Sequence, residues 1–208
     1  MMPPVAVITA DIVNSTRLKK AEEKQLINSL SVILKSYKFE FYRGDSFQAY
    51  LPEPKQALKI VLQARAAAKR LSSGFSSPLA DVRASIGIGS ITTPVKDLNT
   101  AKGEAFLLSG RAFDEMSKAG KRLRIQSANE TFNPGLKIIA NYADSLFSQL
   151  TSKQAAVVFE LLMDHNQVET AKRLKKSQPT INKHAQSARW MEINNLLEDY
   201  QLFINQLS

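Results

Sequence analysis

No cysteine occurs in the 208 residues, which excludes disulfides and thiolate metal sites and fits a reducing cytoplasm. No stretch approaches the roughly 20 consecutive apolar residues of a membrane-spanning helix. The N-terminal apolar run stops at Asp11 and has no basic leader, so neither a membrane partner nor a signal peptide is expected, and the predicted location is cytoplasmic. The two histidines, His165 and His184, stand without cysteine or acidic spacing around them, which argues against a zinc site and for structural or solvated roles. What is present, 44% apolar and 23% charged residues, is ordinary for a folded chain, and the length suits one domain of about 150 residues with a small appendage.

The net charge of +9 invites a polyanion. Its distribution says where: Lys172, Arg173, Lys175, Lys176, Lys183 and Arg189 crowd one short segment in which Glu169 is the only acid. Clustering of this kind is the footprint of a nucleic-acid surface, here double-stranded DNA.

The rest of the chain is organised around VAVITADIVNST, residues 5–16, an apolar strand ending on a carboxylate. Further on, KFEFYRGDSFQAYL holds two alternating runs joined by Arg43, Gly44, Asp45 and Ser46, the pattern of a hairpin. If the two elements lie side by side, Asp11 and Asp45 converge, and they repel unless a proton or a hard cation sits between them. The same aspartates also suit plain turn capping. Apolar spacing predicts helices over about 20–36, 54–71 and 103–119, and strands over DVRASIGIGS and 122–127. The order strand, helix, hairpin, helix, strand, helix, strand predicts an α+β, ferredoxin-like sheet with its helices on one face.

These residues resemble the class III nucleotidyl cyclase catalytic domain over roughly residues 4–127. The resemblance implies a cyclase-type palm in which Asp11 and Asp45 are metal carboxylates, the Ile12 carbonyl is the backbone ligand and Arg111 is the phosphate-stabilising arginine. It also implies a nucleotide ligand and an ion, Mg2+ or Mn2+, held weakly because two carboxylates and one carbonyl are the whole donor set. Three departures weigh against turnover: Leu107 stands where the family has its catalytic asparagine, and Phe41 and Thr100 stand where it selects the purine. No cofactor is required on this reading.

Beyond the sheet, residues 133–150 are expected as a helical linker between a domain over 1–132 and an all-α, helix-turn-helix domain over 151–208. Thr151 and Gln154 form a capping-box pair, and VETAKRLKKSQPTINKHAQSARW reads as a short helix, a turn at 175–178 and a helix opened by Pro179. Ala171, Leu174 and Ile181 are its predicted packing residues. Gln178, Thr180, Asn182, Lys183 and Gln186 would face base edges, while Lys172, Arg173, Lys175 and Lys176 would meet phosphates. SQPTINKHA resembles the reading helices of sigma-region-four and response-regulator proteins, with Lys175 and Lys176 replacing the usual turn glycine and apolar residue. A solvated charged face or a protein-docking element is the other reading.

The two-part layout resembles the SatD family of bacterial proteins, which implies a regulatory role. The expected function is therefore a DNA-binding transcriptional regulator with a catalytically degenerate, dimerising or ligand-sensing cyclase-like domain. The competing reading is a metal-dependent nucleotide-binding enzyme controlled by its C-terminal helices. A homodimer is expected, because residues 190–207 carry more large apolar side chains than a three-helix unit buries, and such a tail must pack back or pair with a second copy.

Overall fold

The computed structural model describes residues 3–42, 44–71, 78–92, 95 and 97–207. Arg43 of the expected hairpin turn, residues 72–77 of the loop after the second helix, and Ser208 lie outside them.

Strand β1 (Val5–Val13) is the middle of a five-stranded sheet, as its apolar run requires. It is antiparallel to β3 (Ser46–Leu51) on one side and to β4 (Asp81–Gly89) on the other. β2 (Lys38–Tyr42) closes the expected hairpin on β3, and β5 (Leu123–Ser127) runs parallel to β4, giving the order β2-β3-β1-β4-β5. Because side chains alternate with period two, Ala6, Ile8 and Ala10 of β1 share a face with Leu51, Ala49 and Phe47 of β3 and with Ile88, Ile86 and Ala84 of β4. All nine are core residues.

Helices α1 (Lys20–Leu34) and α2 (Ala57–Lys69) join that core. α3 (Glu104–Lys118) does not: it packs on the opposite face, where Ala105 meets Val5 and Val7 and Ser109 meets Thr9. The expectation that all helices lie on one face is thus corrected. The physical reason is Gly87, which faces α3 so closely that an added Cβ would sit 2.3 Å from the Ala105 carbonyl oxygen. Ser85 helps by donating to the Ser109 carbonyl at 2.7 Å. The small residues that alternate along β4 look like a solvent face in sequence, yet they are a seat for a helix.

The C-terminal third is helical: α4 (Asn133–Ser148), α5 (Ser152–Leu162), α6 (Gln167–Leu174), α7 (Gln178–Ser187) and α8 (Trp190–Asn205). Thr151 and Gln154 form the predicted capping box, with Thr151 N–H donating to Gln154 Oε1 at 2.9 Å and Gln154 N–H to Thr151 Oγ1 at 3.3 Å. α7 begins at Gln178 under a Ser177 cap, so the turn is shorter than expected, 175–177.

The apolar tail packs back on the chain. Ile193, Leu196, Leu197, Tyr200 and Ile204 are buried in the same core as the strands, and the Tyr200 hydroxyl donates to the Pro54 carbonyl at 3.0 Å. Most of the tail's large apolar side chains are thus covered by the chain itself, while Met191 and Leu202 stay exposed. A buried ion network ties the layers together. Arg65 of α2, fully buried, donates to Asp81 at the start of β4 at 2.8 and 3.1 Å and to Asp144 of α4 at 2.9 Å. No helix among the described residues is long and apolar enough to cross a membrane.

Candidate functional site

Asp11 lies near the end of β1, where the ladder pairs it with Ser46 on one side and Arg83 on the other. Asp45 is brought beside it, its carbonyl accepting from Ile12 N–H at 2.8 Å. The predicted convergence of strand end and hairpin turn is what the backbone does. The electrostatics differ from expectation. Arg83 Nε donates to Asp11 Oδ1 at 3.1 Å and Nη2 donates to Oδ2, while the guanidinium lies over the Phe113 ring, 5.3 Å from its centroid. Asp45 is held separately, by Ser15 Oγ at 3.2 Å and Ser46 Oγ at 3.4 Å.

A divalent ion does not fit this arrangement. Both oxygens of Asp11 are spent on a guanidinium in the bidentate fork geometry that carboxylates prefer, and an ion entering there would meet a fixed positive charge. Among the described residues no group of three or more His, Cys, Asp and Glu side chains could hold a metal. Sequence reasoning missed Arg83. The available signal was an arginine inside an otherwise apolar or small strand, on the face that Asp11 shares once β1 and β4 are paired.

A cavity of about 460 Å³ opens beside this pair, lined among others by Thr9, Tyr42, Ser46, Gln48, Asn99 and Phe106. Gln48 donates to Thr9 Oγ1 at 3.2 Å, and Thr9 to Ser109 at 3.1 Å. Tyr42 donates to Glu40 at 3.1 Å. Burial first, then this bond and the nearby charges of Glu40 and Asp97, push its hydroxyl up to about 12. At the mouth of α3, Ser90 donates to Glu104 from its hydroxyl and its N–H, which holds that carboxyl below the usual range. Phe41 packs between Phe39 and Phe47, each ring centroid 5.8 Å away. Arg111 and Leu107 are exposed on the outer side of α3. Arg111 has no ion-pair partner among the described residues.

The second site is the α6–α7 pair. Ala171, Ile181 and Ala185 are buried together with Val157 and Leu161 of α5, and Leu174 packs against them, so the predicted packing residues hold and α5 is their scaffold. Between the helices Lys175 itself takes the left-handed conformation, φ 51°, at a cost of roughly 1–2 kcal/mol that glycine would avoid. Its N–H and that of Lys176 return to the Ala171 carbonyl and close α6. Gln178, Asn182, Lys183 and Gln186 are exposed on α7, and Lys172, Lys175 and Lys176 are exposed beside them.

Glu169, the one acid nearby, is occupied at the start of α6, accepting from Asn166 N–H at 2.9 Å. Two predicted contacts are otherwise engaged. Thr180 is bonded to Ser177 at 2.8 Å, and Arg173 Nε donates to Glu160, a carboxylate buried in α5.

No family model matches the chain, and no curated protein does. Among solved structures it is similar to a bacterial light-regulated adenylyl cyclase, at 14% identity and a TM-score of 0.46 over 60% of this chain and 43% of that one. It thus spans less than half of that protein's length. It is also similar to a dimeric guanylyl cyclase domain of the RhoGC fusion protein from Blastocladiella emersonii, at 21% identity and a TM-score of 0.45, covering 62% of this chain and 82% of that one. The adenylyl cyclase CyaB from P. aeruginosa matches at 17% identity and a TM-score of 0.44, over 62% and 78% of the two chains. Likeness at this level leaves the reading of both sites to the chain's own chemistry.

Proposed function

We propose that the chain is a DNA-binding regulator whose sheet body is catalytically silent and serves for sensing or pairing. One observation carries the reading: Lys172, Lys175, Lys176 and Lys183 have no acidic partner among the described residues and surround the exposed amides of Gln178, Asn182 and Gln186. Free cations around a row of amides suit phosphates flanking a groove whose base edges the amides read. On this reading α6 and α7 are a helix-turn-helix, 151–208 is its domain, 133–150 the link and 1–132 a ferredoxin-like palm. The split order β1-α1-β2-β3-α2-β4 with β1 between β3 and β4 supports the last of these.

A homodimer belongs to the proposal because paired reading helices about 34 Å apart match one turn of B-DNA. The alternative, a nucleotide-binding enzyme, draws support from the cavity beside Thr9 and Gln48, but Arg83 on Asp11 and the exposed Leu107 oppose turnover. The test is duplex binding measured against salt, with genome-wide footprinting to supply sites. Lys175→Ala/Lys176→Ala is expected to weaken all sequences and to lower the salt slope by about 2, whereas Asn182→Ala changes sequence preference. An unchanged slope in the double variant refutes the assignment.

A further inference from the structure

A different cavity, also about 460 Å³, lies where α1, the end of α2, α5 and α6 meet, and its walls include Lys24, Arg70, His165, Arg173 and Glu160. Two arginines, Arg70 and Arg173, meet the one carboxylate, and Lys24 adds an exposed cation to the wall. Glu160 is held on one oxygen by Arg173 Nε and approached on the other by Arg70 Nη1 at 3.4 Å. Arg70 is pinned flat, its guanidinium 3.6 Å from the Phe159 ring centroid and its Nη2 donating to Ser29 at 3.1 Å.

Two nitrogens at this cavity are buried without a hydrogen-bond partner, Arg70 Nε and His165 Nδ1. The second lies 3.0 Å from Glu160 Oε2, but no aligned bond joins them. Burial also draws the Arg70 guanidinium below its ordinary range, a cost that the Glu160 charge opposes. A buried donor left unpaired is unfavourable, and here Arg70 Nε is one, with His165 Nδ1 a second when it carries the proton, at a cavity with surplus positive charge.

We propose that this cavity binds a small oxyanion, the carboxylate or phosphate group of a compound whose apolar part lies against Phe159 and Met163. The oxyanion accepts from Arg70 Nε and, when that nitrogen carries the proton, from His165 Nδ1, while Lys24 closes the open side. Neither the sheet cavity nor the exposed lysines of the α6–α7 pair (Lys172, Lys175, Lys176 and Lys183) take part, so the site stands apart from the DNA-binding reading. An occupant touches Arg173 of α6 all the same.

The test is an NMR titration of the full chain with sodium phosphate and, separately, sodium benzoate, each at an ionic strength held constant with chloride. Saturable shifts of the Arg70 Nε–H and His165 ring signals with either probe are expected, and the probe that acts tells phosphate from carboxylate. Lys24→Glu changes an exposed residue of α1 and is expected to weaken binding at least tenfold. Arg70→Lys, which keeps the charge and removes Nε–H, is expected to do the same. Shifts no larger than chloride alone produces, or wild-type affinity in folded Lys24→Glu, overturn the proposal.

Discussion

Arg83 reaches across the β1–β4 ladder to Asp11 and donates to both oxygens of its carboxylate, from Nε at 3.1 Å and from Nη2. The side chains are 22% and 19% exposed, so the pair is neither solvated nor sealed. It occupies both oxygens of the carboxylate that a bound cation would otherwise use.

Removing the guanidinium should therefore change what the site accepts. Wild-type chain is expected to show no Mn2+-dependent line broadening around Asp11, and Arg83→Ala is expected to gain it, because the Asp11 carboxylate is then freed beside the Asp45 turn. The same substitution should cost about 1–3 kcal/mol in urea unfolding, between the values for exposed and fully buried pairs. Equal broadening in both proteins would show that Arg83 does not exclude the ion.

Arg65 carries a larger share of stability. It is fully buried between Asp81 and Asp144, and Arg65→Met leaves two acids and Lys69 without it. A loss of about 3–5 kcal/mol is expected from chemical denaturation, as for other broken buried networks. A loss under about 1 kcal/mol would mean that water reaches the acids.

Alkaline pH probes Tyr42. Its hydroxyl ionises near 12 in the folded chain against tyrosine's ordinary 10.0. Between those values the folded state holds a proton that the unfolded state has lost, so this contribution is intact below pH 10 and disappears as pH rises through the folded value. Tyr42→Phe should lack that contribution to the decline, and a tyrosine step near pH 12 in the ultraviolet titration should vanish with it. A decline of the same size in the variant would assign it elsewhere.

Lys172 and Arg173 are neighbours with separable roles. Lys172 is exposed and has no acidic partner among the described residues, whereas Arg173 is tied to Glu160. Lys172→Ala should lower the salt slope of DNA binding by about 1 with unchanged stability. Arg173→Ala should leave the slope near wild type and shift the unfolding midpoint, since it leaves the buried Glu160 with less compensation. Reversed outcomes would return Arg173 to the phosphate-contacting set.

Much was legible in residue order. An apolar run located β1 and alternation the hairpin strands and β4, 3.6-residue spacing located the helices to within a few residues, and Thr151-x-x-Gln154 placed the start of α5 because a cap is a contact over three residues. Ala171, Leu174 and Ile181 could be assigned to one small core because they face one another across a short helix pair, although Val157 and Leu161 of α5 complete that core. The adjacency of Asp11 and Asp45 was also accessible, since strand end and hairpin turn follow from local pattern.

The sequence by itself thus determined the elements, the α6–α7 pair with its unpaired lysines, and the meeting of two aspartates, all of which depend on neighbours a few residues apart or on a single strand pairing. Only the tertiary structure decided which charge meets which. Arg83 finds Asp11 72 residues away, Arg70 and Glu160 are 90 residues apart, and Arg65 joins Asp144 across 79. Helix α3 crosses to the other face because Gly87 leaves room for its backbone, and the apolar tail joins the core of the sheet body. Coulomb attraction and close packing act through space, and no periodicity along the chain encodes the distances at which they operate.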